Sequence, residues 1–127
     1  MSTMTADYIG SYTRSVSLDM DRAILILVDM QYATGSRKGA LARKHLDVPG
    51  GHADLEYRFK RIESLVVPNQ LRLAEAFRQS GGKVMYIKIG PMQKDASDAP
   101  AHMRKLFTDL GNYVGSPENE ILEEAPP

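Results

Sequence analysis

Ala23-Ile24-Leu25-Ile26-Leu27-Val28-Asp29-Met30-Gln31 decides how this 127-residue chain is read. Five large apolar residues run without alternation and stop at a carboxylate. Such a run predicts a β-strand buried on both faces, as in a parallel sheet with helices on each side. In sheets of that kind, ligands bind just beyond the carboxyl ends of the strands. Asp29 is therefore expected at the lip of a site, because a charge adjoining a buried strand is costly unless paired or solvated.

Downstream, residues 31 to 53 are polar and carry Gly35, Gly39, Gly50 and Gly51 among the basic residues Arg37, Lys38, Arg43 and Lys44. A connection of that length is usually functional or mobile. It predicts a loop over the site, with one helical turn near Leu41 to His45. From Leu55 the pattern turns helical: Leu55, Phe59, Ile62 and Val66 share a stripe that Leu73 and Phe77 continue. Pro68 lacks an amide donor and interrupts the helix, which is expected to restart with Pro68 in its first turn and run to about Ser80. Gly81-Gly82 ends it. Lys83 to Ile89 reads as a second strand, so strand, helix and strand form a right-handed parallel βαβ unit. A last helix is expected from an Asp98 cap to Leu110, closed by Gly111. Residues 1 to 21 read as an N-terminal arm, with Tyr8, Ile9 and Tyr12 packing on the body or on a neighbour, and residues 22 to 127 as part of one domain. The acidic tail, Ser116 to Pro127, shows no third strand.

Composition narrows the function. Sixteen basic and sixteen acidic residues cancel, which gives no electrostatic case for nucleic acid or an anionic membrane. No stretch approaches the roughly 18 apolar residues of a membrane span. The first twenty residues lack the apolar centre of a secretory signal. There is no cysteine, hence no disulfide, and the cytoplasm is the expected compartment.

Asp29 is the leading chemical candidate, as general base, metal ligand or phosphate acceptor. Gln31 either positions the loop or binds a substrate amide. Lys88, near the end of the second strand, reads as a solvated edge lysine or a partner of Asp29. His45, His52 and His102 share no ligand spacing, so no metal and no cofactor is expected. No G-x-G-x-x-G follows either strand, and there is no Walker sequence or G-x-S-x-G elbow. A phospho-receiver domain also has a strand-end Asp, but here Met30 and Gln31 replace its acidic pair and the following loop is too long.

At Ile24-Leu-Ile-Leu-Val-Asp-Met-Gln31 the chain resembles the isochorismatase-like hydrolases, the cysteine hydrolase superfamily. That family opens with an apolar strand ending in Asp-x-Gln. A long loop follows, then a helix similar to Val67-Pro68-Asn69-Gln70-Leu71-Arg72-Leu73, a glycine turn, and a strand similar to Lys83-Val-Met-Tyr-Ile87. The segment from Gly115 to Pro127 resembles the stretch that leads into the family's third strand. The resemblance implies a three-layer Rossmann-like α/β fold with a parallel sheet, of which only the first strands and helices lie in this chain. At about 30 residues per βαβ unit, six strands need about 180 residues.

The resemblance also implies chemistry. Family members use an Asp, Lys and Cys set to hydrolyse small amides, carbamoyl compounds or ureides, the thiolate attacking and the aspartate taking its proton. Asp29 maps onto that aspartate, and Gln31, Tyr32 and Thr34 are expected nearest the substrate. The lysine and cysteine have no counterpart here, and Lys88 does not match the lysine motif. Tyr32-Ala33 stands where the family often has Asn-Asp. The chain is thus expected to be the N-terminal part of a hydrolase, completed by a C-terminal fragment and assembling as a homo-oligomer. The alternatives are an isochorismatase-type vinyl ether hydrolase and a catalytically inactive binding or oligomerisation protein. Expressed alone, the chain is expected to fold poorly or aggregate, because a sheet edge is unpaired.

Overall fold

The structure is a computed structural model that describes residues 8–127; residues 1–7 of the expected arm lie outside the described residues. The architecture is mixed α/β around a two-stranded parallel sheet. β1 (Ile24–Val28) is followed by two short helices, α1 (Tyr32–Gly35) and α2 (Ala40–His45). Then come α3 (Ala53–Arg61), a π-helical turn (Ile62–Val66) and α4 (Val67–Gln79). β2 (Lys83–Ile87) returns parallel to β1, with Ile24 opposite Lys83 and Val28 opposite Ile87. α5 (Ala101–Leu110) and a 3-10 turn, Pro117–Asn119, lead into the tail. The βαβ order is the one the sequence predicts. Of the arm residues named above, Tyr12 is 85% exposed in this chain, whereas the side chains of Tyr8 and Ile9 lie outside those described.

Two expectations about helices need correction. The segment after Asp29 is not a loop with one turn but contains both α1 and α2. Arg37, in the bend between them, makes a bidentate pair with Glu56 of α3 at 2.7 and 2.8 Å and a third bond to Glu63 at 2.8 Å. Those contacts tie the segment to α3, raise the Arg37 pKa and lower that of Glu56, the Arg37–Glu56 hydrogen bonds being the largest cause of both shifts. Gly39 packs so tightly here that a Cβ would lie 1.7 Å from the Tyr32 carbonyl oxygen.

The second correction concerns the helix stripe. Val66 and Leu73 are 37% and 47% exposed, whereas Val67, Gln70 and Ala74 are buried. The cause is Pro68. Its nitrogen cannot donate to Ser64, and the Val67 amide reaches back five residues to the Ile62 carbonyl. A π turn inserts one extra residue, so the inward stripe 55, 59, 62 resumes at 67, 70 and 74 rather than at 66 and 73. The Nε2 of Gln70, buried on that stripe, has no hydrogen-bond partner.

The sheet is covered on one face only, not on both as the unbroken apolar run predicts. Leu27 is buried and Leu25, Val84 and Tyr86 are half-buried on the face that α4 covers. On the opposite face Ile24, Ile26, Val28, Met85 and Ile87 are 40–55% exposed. No described element lies over them, and such a contiguous apolar surface favours association. The chain should therefore self-associate as concentration rises. The pair Ile26→Lys with Met85→Glu, opposite each other in register, should abolish that association in analytical ultracentrifugation. Unchanged sedimentation of the double variant would rule this face out as the contact.

Candidate functional site

Asp29 follows the last residue of β1, and its amide still donates to Ile87 O at 2.9 Å, extending the ladder. Its backbone then turns left-handed, with φ 58°. That region costs an L-residue about 1–2 kcal/mol, less for Asp and Asn, whose short polar side chains tolerate it. The turn takes the chain off the sheet and leaves the carboxylate exposed at the strand end. Among the described residues no ion pair engages it.

Gln31 lies two residues on and is 1% exposed. Its Nε2 donates to Ile89 O at 3.0 Å and to Asn119 O at 2.9 Å, and its Oε1 accepts from Ile89 N at 2.8 Å. Both N–H groups are spent on the protein, so the geometry makes Gln31 a positioning residue. Its backbone meets the tail as well. Gln31 bridges Ile121 antiparallel, with Tyr32 N to Glu120 O and Leu122 N to Met30 O each 3.0 Å. Asn119 Nδ2 adds bonds to Ile89 O at 2.9 Å and to Asn112 Oδ1 at 2.8 Å. The network leaves no room at Gly90, where a Cβ would lie 2.4 Å from Asn119 Nδ2.

Asp29, Gln31, Thr34 and Asn112 form the polar side of a cleft of about 190 Å³. Its apolar side is Ile89 together with Met103, Leu106, Phe107 and Leu110 from α5. The structure thus brings together three of the four residues expected around the site. Tyr32 is the exception. It packs with Met30 and Ile62 against Val67, Leu122 and Ala125, and its hydroxyl accepts from Glu123 N at 3.3 Å.

α5 begins at Ala101, after a Pro100 N-cap, and not at Asp98. Asp98 instead accepts from the amides of Met92 at 2.8 Å and Gln93 at 3.2 Å. The Met92 amide is the chief cause of its lowered carboxyl pKa. Lys88 does not reach Asp29; it pairs with Glu120 at 3.2 Å. The rings of His45 and His52 are 6.1 Å apart, and no group of three or more His, Cys, Asp or Glu among the described residues could hold a metal ion. On its other side Asp29 borders a wider, open groove with Arg58 and Arg61. Arg58 is bonded to Thr34 O at 3.2 and 3.1 Å.

Asn112 and Asn119 escaped the sequence reading. Neither sits in a motif, and the partners of their side chains are 7 and 30 residues away, with Gln31 a further 88 residues from Asn119. No family model, no curated protein and no solved structure matches the chain. No helix among the described residues is long and apolar enough to cross a membrane.

The left-handed backbone at Asp29 can be tested by substitution. Asp29→Gly should leave thermal stability unchanged or raise it, and Asp29→Val should lower it by about 1–2 kcal/mol. Equal stability of the two variants by chemical denaturation would contradict that geometry.

Proposed function

We propose that this chain is the N-terminal part of an isochorismatase-like cysteine hydrolase that cleaves C–N bonds in small amides, carbamoyl compounds or ureides. The observation that carries the reading is Asp29: a carboxylate at the carboxyl end of the first parallel strand, in a left-handed turn, facing a cleft. Backbone strain of this kind clusters at functional sites. Among the described residues nothing covers the apolar face of the sheet or pairs with the outer edges of its two strands, which supports completion by further strands and helices into a three-layer Rossmann-like domain.

In the proposed reaction Asp29 takes the proton of a cysteine thiol supplied by that further polypeptide. The thiolate adds to the carbonyl carbon, the C–N bond breaks, and the departing nitrogen takes the proton back from Asp29. Water, deprotonated by Asp29, then adds to the thioester carbonyl, the C–S bond breaks to release the acid, and the thiolate regains its proton from Asp29. A lysine from the same polypeptide favours the ionised partners. Gln31 keeps Asp29 in place, and Thr34 lines the substrate's side of the cleft. The partners of the chain are then a small-molecule substrate, the completing fragment and further copies of itself.

The test is Asp29→Asn in the chain together with the polypeptide that carries the lysine and cysteine. Asn accepts the left-handed turn but not a proton, so turnover should fall by about 10²–10⁴-fold with the melting temperature nearly unchanged. Turnover near wild type would sink the assignment. Absence of hydrolysis from the completed wild-type protein would favour a binding or oligomerisation role, for which the exposed sheet face offers a surface.

A further inference from the structure

We propose that the N-terminal arm of one copy of this chain lies across the open sheet face of a second copy, and that the exchange is reciprocal and gives a closed dimer. The proposal goes beyond the hydrolase reading and does not rest on it.

Residues 13 to 19 of the arm have no regular secondary structure, and residues 10 to 19 are all exposed. Their sequence alternates. In an extended chain Tyr12, Arg14, Val16 and Leu18 share one side, and Thr13, Ser15, Ser17 and Asp19 share the other. Tyr12, Val16 and Leu18 are 85%, 76% and 64% exposed. Alternation of this kind belongs to a segment that covers an apolar surface with one side and meets water with the other. Arg14 can lay its stem along that surface and keep its guanidinium in water.

The receiving surface is the face of Ile24, Ile26, Val28, Met85 and Ile87, over which no described element lies. Seven extended residues span about 20 Å and the five-residue strands about 15 Å, so residues 12 to 18 cross the whole face. Arm and face are open in the same chain, so the arm does not cover its own face. The turn before β1 holds the arm where it leaves the body: Arg22 N donates to Asp19 O at 3.0 Å, and Asp21 N to Asp19 Oδ1 at 3.2 Å. A second copy supplies the cover that the chain does not give itself.

Area decides between one-way and reciprocal docking. Eight apolar side chains exposing on the order of 100 Å² each put about 800 Å² into one contact of arm on face. That falls short of the roughly 1,200 Å² of a stable specific interface, whereas two such contacts reach its standard size of about 1,600 Å². A two-fold axis supplies both contacts at once and leaves neither arm nor face open, so assembly stops at the dimer. One-way docking would run on into chains of copies. The polypeptide that completes the hydrolase would cover the same face, so it and the arm exclude one another.

Sedimentation equilibrium of the purified full chain should show a monomer–dimer equilibrium that levels off at twice the 14.1 kDa chain mass. Val16→Asp with Leu18→Asp changes exposed arm residues only, and it should weaken dimerisation at least about tenfold with the circular dichroism unchanged. The chain has no cysteine, so single thiols can be placed on arm and face. Copies carrying Val16→Cys, mixed with copies carrying Ile26→Cys, should form mixed disulfides in oxidised glutathione. Copies carrying Ile26→Cys alone should not cross-link. A monomer at every concentration, a mass that climbs past the dimer, or dimerisation indifferent to the arm variant would each overturn the proposal. So would disulfides between Ile26→Cys copies in place of mixed ones, which mark two sheet faces packed directly on each other.

Discussion

The side-chain amide of Gln31 takes up both backbone groups of Ile89 just beyond the paired ends of β1 and β2. β1 cannot continue, because Asp29 turns left-handed and lifts the backbone off the sheet. The part-buried Ile89 N–H and C=O would then lose the partners that a continuing strand supplies, leaving Asn119 Nδ2 as the one donor to Ile89 O. Gln31 answers both with one planar amide, its Oε1 on Ile89 N at 2.8 Å and its Nε2 on Ile89 O at 3.0 Å. The remaining N–H of the same amide holds Asn119 O, so the tail is fastened to the strand ends by the residue that splices them.

Much of the local geometry follows from that splice. Asn119, held by its carbonyl, turns its own Nδ2 to Ile89 O and to Asn112. Asn112 and the end of α5 are thereby brought against Asp29, and the cleft has its two walls. The tail past Asn119 then lays Leu122 and Ala125 on Val67, which draws Tyr32 to that side and away from the cleft. Salt bridges of Lys38 with Glu123 and of Arg43 with Glu118 lie at the rim of this arrangement. The exposed Lys38–Glu123 pair contributes little stability, whereas the Glu118 side chain is largely covered and also accepts from Ala40 N at 2.9 Å. The sheet itself is half dressed: α4 covers one face while Ile24, Ile26 and Val28 face outward on the other.

The sequence carried the elements whose cause is local. The apolar run of β1, the Gly81-Gly82 stop and the apolar residues of β2 all describe their own neighbourhoods, and parallel pairing follows from the helix between them. The position of Asp29 was legible for the same reason. What escaped depends on partners far along the chain or on how a missing donor is accommodated. Pro68 announced an interruption, but not that the helix would absorb it as a π turn and shift the inward stripe by one residue, leaving Leu73 exposed. Asp98 looked like a cap because it precedes a helix, yet the Met92 and Gln93 amides claimed it first. The one-sided burial of β1 depends on what lies over the sheet, which no strand's own residues reveal. The roles of Asn112 and Asn119 arise only once residues 29 to 31, 89 to 90 and 112 to 121 have met.

The central claim is that one side-chain amide holds the strand ends and the tail in register around Asp29, and amide hydrogen exchange at Ile89 tests it most directly. The Ile89 N–H has Gln31 Oε1 as its partner. In the wild type it should exchange slowly, at a rate close to that of the β1–β2 ladder amides. In Gln31→Leu the Ile89 amide should exchange about 10–100-fold faster, together with the Tyr32 and Leu122 amides that join the tail to the strand end. The ladder amides of β2 should change far less. An Ile89 amide that exchanges at the same rate in both proteins would contradict the account.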